Sequence, residues 1–133
     1  MKKILTVGVF DLLHFGHIEL FRKAKALGDF LTVAVQDDKN VVKFKPGTKL
    51  TYTTDQRCYM VASIRHVDDV VVYSCAENAV KENDFDVFAK GPDQNNESFQ
   101  AAIKWCEEHG KEVVVLPRTE GISTSLIKQI LKG

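Results

Sequence analysis

Apolar residues fall in short blocks along the chain, and their spacing alternates between two kinds. Residues 4–9 are mostly apolar and partly β-branched, running into Gly8-Val9-Phe10-Asp11. Such an unbroken run predicts a strand buried on both faces. Between Gly16 and Gly28, Leu20, Phe21, Ala24 and Leu27 recur at steps of three and four, while Glu19, Arg22, Lys23 and Lys25 take other positions. That is the period of an amphipathic helix, with Gly28 suited to its C-terminal cap. Residues 30–35 predict a second buried strand. Residues 36–53 are polar, carry Lys43, Lys45, Pro46, Gly47 and Lys49, and hold no sustained period. They predict a long loop, of a length usually tied to function or mobility. Thr54-Asp55-Gln56-Arg57 then reads as a helix start, with Tyr59, Met60 and Ile64 on one face.

The alternation continues with strands over 70–72, 87–89 and 113–116, and helices over 76–82, 97–109 and 123–131. Strands alternating with helices through short turns imply parallel pairing by right-handed crossovers. The predicted fold class is α/β: one doubly wound domain over residues 1–133, with about five parallel strands flanked by helices. Ligands of such sheets sit beyond the carboxyl ends of the strands, where strand order reverses. The segment from Gly8 to His17 is therefore the first place to look.

Eighteen Lys and Arg balance eighteen Asp and Glu. With no net field to hold a polyanion, nucleic-acid binding is disfavoured, and an anionic ligand must be held by a local cluster. Cys58, Cys75 and Cys106 are widely spaced with no CxxC, so neither a disulfide framework nor a zinc site is indicated and a reducing cytoplasm fits. Asp11 interrupts the apolar N-terminal run before a signal core or membrane span is complete. The expectation is a soluble cytoplasmic protein without a membrane partner.

Two dense clusters carry candidate chemistry. His14-Phe15-Gly16-His17 follows the first strand and opens a helix. Free N–H groups and the dipole favour an anion there, two imidazoles three residues apart can face it together, and Gly16 lacks the Cβ that would hinder a phosphate. With no acidic residue inside the pair and no nearby third ligand, zinc is disfavoured. Arg118-Thr119-Glu120-Gly121-Ile122-Ser123-Thr124 again lies between a strand and a helix, after Pro117. Ser123 and Thr124 offer a cap and hydroxyls, and Arg118 a bidentate phosphate partner; a plain turn and cap is the alternative. Two phosphate cradles at two strand ends suit a nucleoside triphosphate, although neither is a Walker loop or GxGxxG.

Together these segments resemble the cytidylyltransferase family of the HxGH nucleotidyltransferase superfamily, over essentially the whole chain. The resemblance implies transfer of CMP from CTP, accompanied by Mg²⁺, to a small phosphate acceptor, with glycerol 3-phosphate expected, and a homodimer. It implies that His14 and His17 neutralise developing charge, that Arg118 and the Ser123-Thr124 helix start hold the β- and γ-phosphates, and that Lys45 reaches the phosphates from the long loop, with Lys43 as competitor. Gly8, Val9, Phe10, Asp11, Gly16, Thr119, Gly121 and Ile122 belong to the nucleotide site on the same ground, Asp11 orienting histidine or phosphate-binding groups. Arg57 and Arg65 match family arginines implicated around the substrate, with a surface ion pair to Asp68 or Asp69 as the alternative for Arg65.

In Gly91-Pro92-Asp93, Pro92 stands where the family usually has a polar residue. It removes an N–H, while Asp93 remains available to the ribose or base. Residues 94–100, rich in Asn and Gln, differ from the segment expected for a glycerol-phosphate enzyme and either line another acceptor pocket or form a solvated helix approach. Trp105, Phe99 and Cys106 read as core. The readings that compete are an adenylyltransferase of the same superfamily, against which the Arg118–Thr124 cluster argues, a cytidylyltransferase for another phosphate, and a non-catalytic nucleotide-binding subunit.

Overall fold

The computed structural model describes residues 1–118. The helix predicted over 123–131 lies outside them. Ten elements follow in order: β1 Lys3–Gly8, α1 Phe15–Lys25, β2 Phe30–Gln36, α2 Asp38–Phe44, α3 Thr54–Ala62, β3 Asp69–Tyr73, α4 Ala76–Glu82, β4 Val87–Lys90, α5 Glu97–Glu108 and β5 Glu112–Val115. The five strands are parallel and ordered β3-β2-β1-β4-β5. Sequence order thus reverses between β1 and β4, which fixes the crevice at their carboxyl ends as the natural ligand site.

The central strands owe their apolar runs to burial on both sides. Ile4, Leu31, Val33 and Val35 pack with Phe21 and Ala24 of α1 and Val61 of α3, whereas Leu5, Val7 and Ala34 pack with Ala79 and Val80 of α4 and Ala102 and Cys106 of α5. Right-handed crossovers place the helices in these two layers. Phe99 and Cys106 are core residues and Trp105 packs on the same cluster, as the sequence predicts. Among the described residues no helix is long and apolar enough to cross a membrane.

Two expectations need correction. The supposed loop over 36–53 contains α2. Its start is set by Asp37, whose carboxylate accepts the Asn40 N–H at 2.8 Å, and Val41 is its only buried residue, so no apolar period could announce it. Gly28 is not a left-handed cap, because α1 ends at Ala26 in right-handed helical conformation. A Cβ at Gly28 would lie 2.6 Å from the Lys2 carbonyl oxygen, so the glycine serves a close chain approach.

Candidate active site

At the carboxyl ends of β1 and β4 lies a cavity of about 490 Å³, lined by Gly8, Val9, Phe10, Asp11, His14, Gly16 and His17 from the first strand end, Lys45 from the end of α2, Gly91, Pro92 and Asp93 after β4, and Arg118 after β5. A second cavity of about 370 Å³ adjoins it and shares Gly8, Val9, Lys45, Asp93 and Gln94. The sequence-predicted strand-end residues converge as expected for this topology.

The two histidines are fixed by the helix they begin. His14 is the N-cap of α1, its Nδ1 accepting the Gly16 N–H at 3.0 Å, and His17 Nδ1 accepts the His14 N–H at 3.3 Å. This is a capping box built from imidazoles. Because each Nδ1 is an acceptor, each neutral ring carries its proton on Nε2 and offers that N–H to the cavity. The rings stack with centroids 3.9 Å apart. Burial lowers the His14 pKa, and burial followed by the neighbouring His14 lowers His17 to about 4. Both are therefore neutral donors at physiological pH.

Phe10 holds this arrangement from below. Its φ of 55° is the one positive value outside glycine among the described residues. Such strain persists where surroundings over-determine it, commonly at functional sites. The turn sends the Phe10 ring edge-on to His17 at 5.5 Å and to Phe21 at 5.1 Å. It also lies over Gly8, where a Cβ would sit 2.5 Å from the ring.

The depressed His17 pKa makes a stability prediction. Between its ordinary 6.5 and about 4 the unfolded chain binds a proton that the native ring refuses. Stability therefore rises with pH across that window, by on the order of 3 kcal/mol in all, and this contribution is flat above it. Urea unfolding at pH 7 and pH 5 should show the loss on acidification, with a smaller one in His17→Gln; equal stability at both values contradicts the assignment.

Asp11 is buried and turned toward the chain: its carboxylate accepts N–H groups of Thr51 and Tyr52 at 3.0 Å, tying the segment after α2 to the cavity floor. Of the competing lysines, Lys45 lines both cavities and Lys43 neither. Arg118 pairs with Asp93 across the mouth, both side chains well exposed. Thr119, Gly121, Ile122, Ser123 and Thr124 lie outside the described residues.

Two predicted substrate arginines are placed elsewhere. Arg57 is fully buried beneath the cavity. Its five N–H donors meet the carbonyls of Val9, Gln36 and Tyr52, the Asp38 carboxylate and the Thr54 hydroxyl, which leaves none for a substrate. Arg65 is exposed in the turn leading into β3, at the amino edge of the sheet, and lines neither cavity. Of the two carboxylates suggested as its alternative partners, Asp68 pairs with Lys25 and Asp69 accepts the Val70 N–H at 3.0 Å.

Gln94 is the residue that sequence reasoning missed as an individual. Its side chain accepts the Gly91 N–H at 3.0 Å and donates to the Val7 carbonyl at 2.8 Å, bridging β1 and the turn after β4 across the strand reversal. The Asn/Gln-rich segment supplies the wall of the second cavity through Gln94, Asn95, Asn96 and Ser98, and Asn96 also caps α5. Nothing in a polar run marks which amide makes the bridge.

Residues 5–130 match the cytidylyltransferase-like family pattern. The chain belongs to the cytidylyltransferase-like family. Its curated relatives include glycerol-3-phosphate cytidylyltransferases of Staphylococcus aureus, 44% identical with 100% of this chain and 97% of that protein covered, and of Bacillus subtilis, 40% identical with 100% and 99% covered. A bifunctional protein HldE of Helicobacter hepaticus is 36% identical over 95% of this chain, which matches only 26% of that larger protein. Among solved structures, a lipopolysaccharide core biosynthesis protein from Thermoplasma volcanium superposes with a TM-score of 0.73 at 26% identity, covering 90% of this chain and 97% of that one.

Proposed function

We propose that this chain transfers CMP from CTP to glycerol 3-phosphate, forming CDP-glycerol and releasing pyrophosphate. The observation that carries the reading is the pair of neutral imidazoles whose Nδ1 atoms are taken by backbone N–H groups, so that two Nε2–H donors are left for one cavity at the strand reversal. Similarity to two glycerol-3-phosphate cytidylyltransferases over nearly their whole lengths supports the base and the acceptor.

An acceptor phosphate oxygen attacks the α-phosphorus in line. As that bond forms, the bond from the α-phosphorus to the bridging oxygen breaks, and pyrophosphate leaves with the electron pair. The protein has to place the two phosphates and meet the charge that develops. His14 and His17 donate to the α-phosphate and bridging oxygens. Lys45, at the junction of the cavities, brings a cation to both reacting phosphates. Arg118 exchanges Asp93 for the triphosphate; an exposed pair is worth at most about 1 kcal/mol, so the exchange costs little. Ser123, Thr124 and the backbone of Thr119, Gly121 and Ile122 complete the β- and γ-phosphate cradle. The acceptor's carbon chain enters the second cavity.

Mg²⁺ accompanies CTP and neutralises phosphate charge when bound. Of the described carboxylates lining the first cavity, Asp11 already receives the Thr51 and Tyr52 N–H groups, and among the described residues no group of three acidic, His or Cys side chains forms a cage. The ion therefore fits as one held chiefly by phosphate oxygens.

The test is pyrophosphate release by the pure protein with Mg²⁺, glycerol 3-phosphate and each nucleoside triphosphate in turn. CTP should support turnover far better than ATP, GTP or UTP; preference for ATP contradicts the base assignment. Under this reading the enzyme is a cytoplasmic homodimer. Sedimentation at micromolar concentration should give twice the 14.9 kDa chain mass, and a monomer contradicts it.

A further inference from the structure

We propose that Tyr73 sets acceptor specificity by hydrogen-bonding a hydroxyl on the acceptor's carbon chain in the second cavity, an inference that rests on the cytidylyl-transfer reading above. Tyr73 is the last residue of β3 and is 5% exposed, its ring packed in the core cluster with Val7, Ala34 and Phe99. It lines the second cavity. Its main-chain carbonyl accepts the Asp37 N–H at 3.1 Å, and its hydroxyl makes no hydrogen bond to another described residue. A buried phenol normally finds a partner. Its hydroxyl is not among the sealed, unpartnered polar atoms of the described core, and the second cavity lies beside it, where a ligand hydroxyl can pair with it. Burial raises the Tyr73 pKa, which keeps the group a neutral O–H at any working pH.

The surroundings define the ligand class. Gln36, Asn95, Asn96 and Ser98 give the second cavity an uncharged, hydrogen-bonding wall. Among the described residues its carboxylate is Asp93, which pairs with Arg118, and its cation is Lys45, which sits where the two cavities meet. A phosphate at Lys45 with a neutral, hydroxylated chain extending toward Tyr73 suits this lining. The favoured acceptors are therefore polyol phosphates.

Two comparisons test this. With the wild-type enzyme, glycerol 3-phosphate is set against its two analogues lacking either the central or the terminal hydroxyl, and against phosphoethanolamine. One deoxy analogue should lose roughly tenfold in kcat/KM. Tyr73→Phe keeps the ring and removes one oxygen. It should lose a similar factor with glycerol 3-phosphate, lose nothing more with that analogue, and leave the KM for CTP unchanged. Equal use of both deoxy analogues by the wild-type enzyme, a preference for phosphoethanolamine, or undiminished discrimination in Tyr73→Phe overturns the inference while CMP transfer stands. The wild-type comparison decides the matter even if the variant folds poorly. Absence of CMP transfer to any acceptor overturns the underlying reading as well.

Discussion

Replacing His14 by Asn should lower kcat by roughly a hundredfold or more, the loss seen when one preorganised donor to a developing oxyanion is removed, while leaving the melting temperature almost unchanged. The substitution separates the two nitrogens of the ring. Asn is among the best N-cap residues, and its carbonyl oxygen can take over the 3.0 Å bond that Nδ1 accepts from the Gly16 N–H. Nothing replaces the Nε2–H that the ring offers to the cavity. His14→Ala should show the same kinetic loss together with about 1 kcal/mol of lost stability from the missing cap. Thermal unfolding and steady-state kinetics on both variants read the separation. A His14→Asn enzyme with near-normal kcat would assign the ring to the helix start alone.

The largest structural effect is expected at Arg57. Its guanidinium joins the chain just beyond β1, through Val9, to the ends of β2 and the segment before α3, through Gln36 and Tyr52, and also binds Asp38 and Thr54. Arg57→Ala leaves three carbonyls and the half-exposed Asp38 carboxylate without that donor, and at about 1–3 kcal/mol for each buried group left unpaired the expected loss is about 3–5 kcal/mol. Against the 5–15 kcal/mol typical of a domain, this is a large fraction. Arg57→Lys restores charge and three of five donors and should recover part of the loss. Urea titration measures both; a loss below about 1 kcal/mol in Arg57→Ala would show that the network adds little.

The contrast between these residues explains what could be read from sequence. The buried strands were legible because an unbroken apolar run has one physical meaning, and the site because a strand-to-helix turn carrying His14-Phe15-Gly16-His17 concentrates donors at the reversal point. Helix α2 was not, since Val41 alone is buried and a side-chain cap at Asp37 determines where it starts. Arg57 and Arg65 matched family arginines, yet a guanidinium saturated by backbone carbonyls and one at the far edge of the sheet look alike in sequence. Gln94 and Tyr73 were equally hidden. Their roles depend on which main-chain carbonyl or empty space a distant element places beside them.

The central claim, that the paired imidazoles serve attack at the α-phosphorus of CTP by an acceptor phosphate, is tested most directly by following label from CTP. With CTP radiolabelled at the α-phosphate and glycerol 3-phosphate present, the label should pass into CDP-glycerol, and CTP labelled at the γ-phosphate should give labelled pyrophosphate. Release of inorganic phosphate from γ-labelled CTP, or α-label recovered only as unreacted CTP or free CMP, would contradict the account.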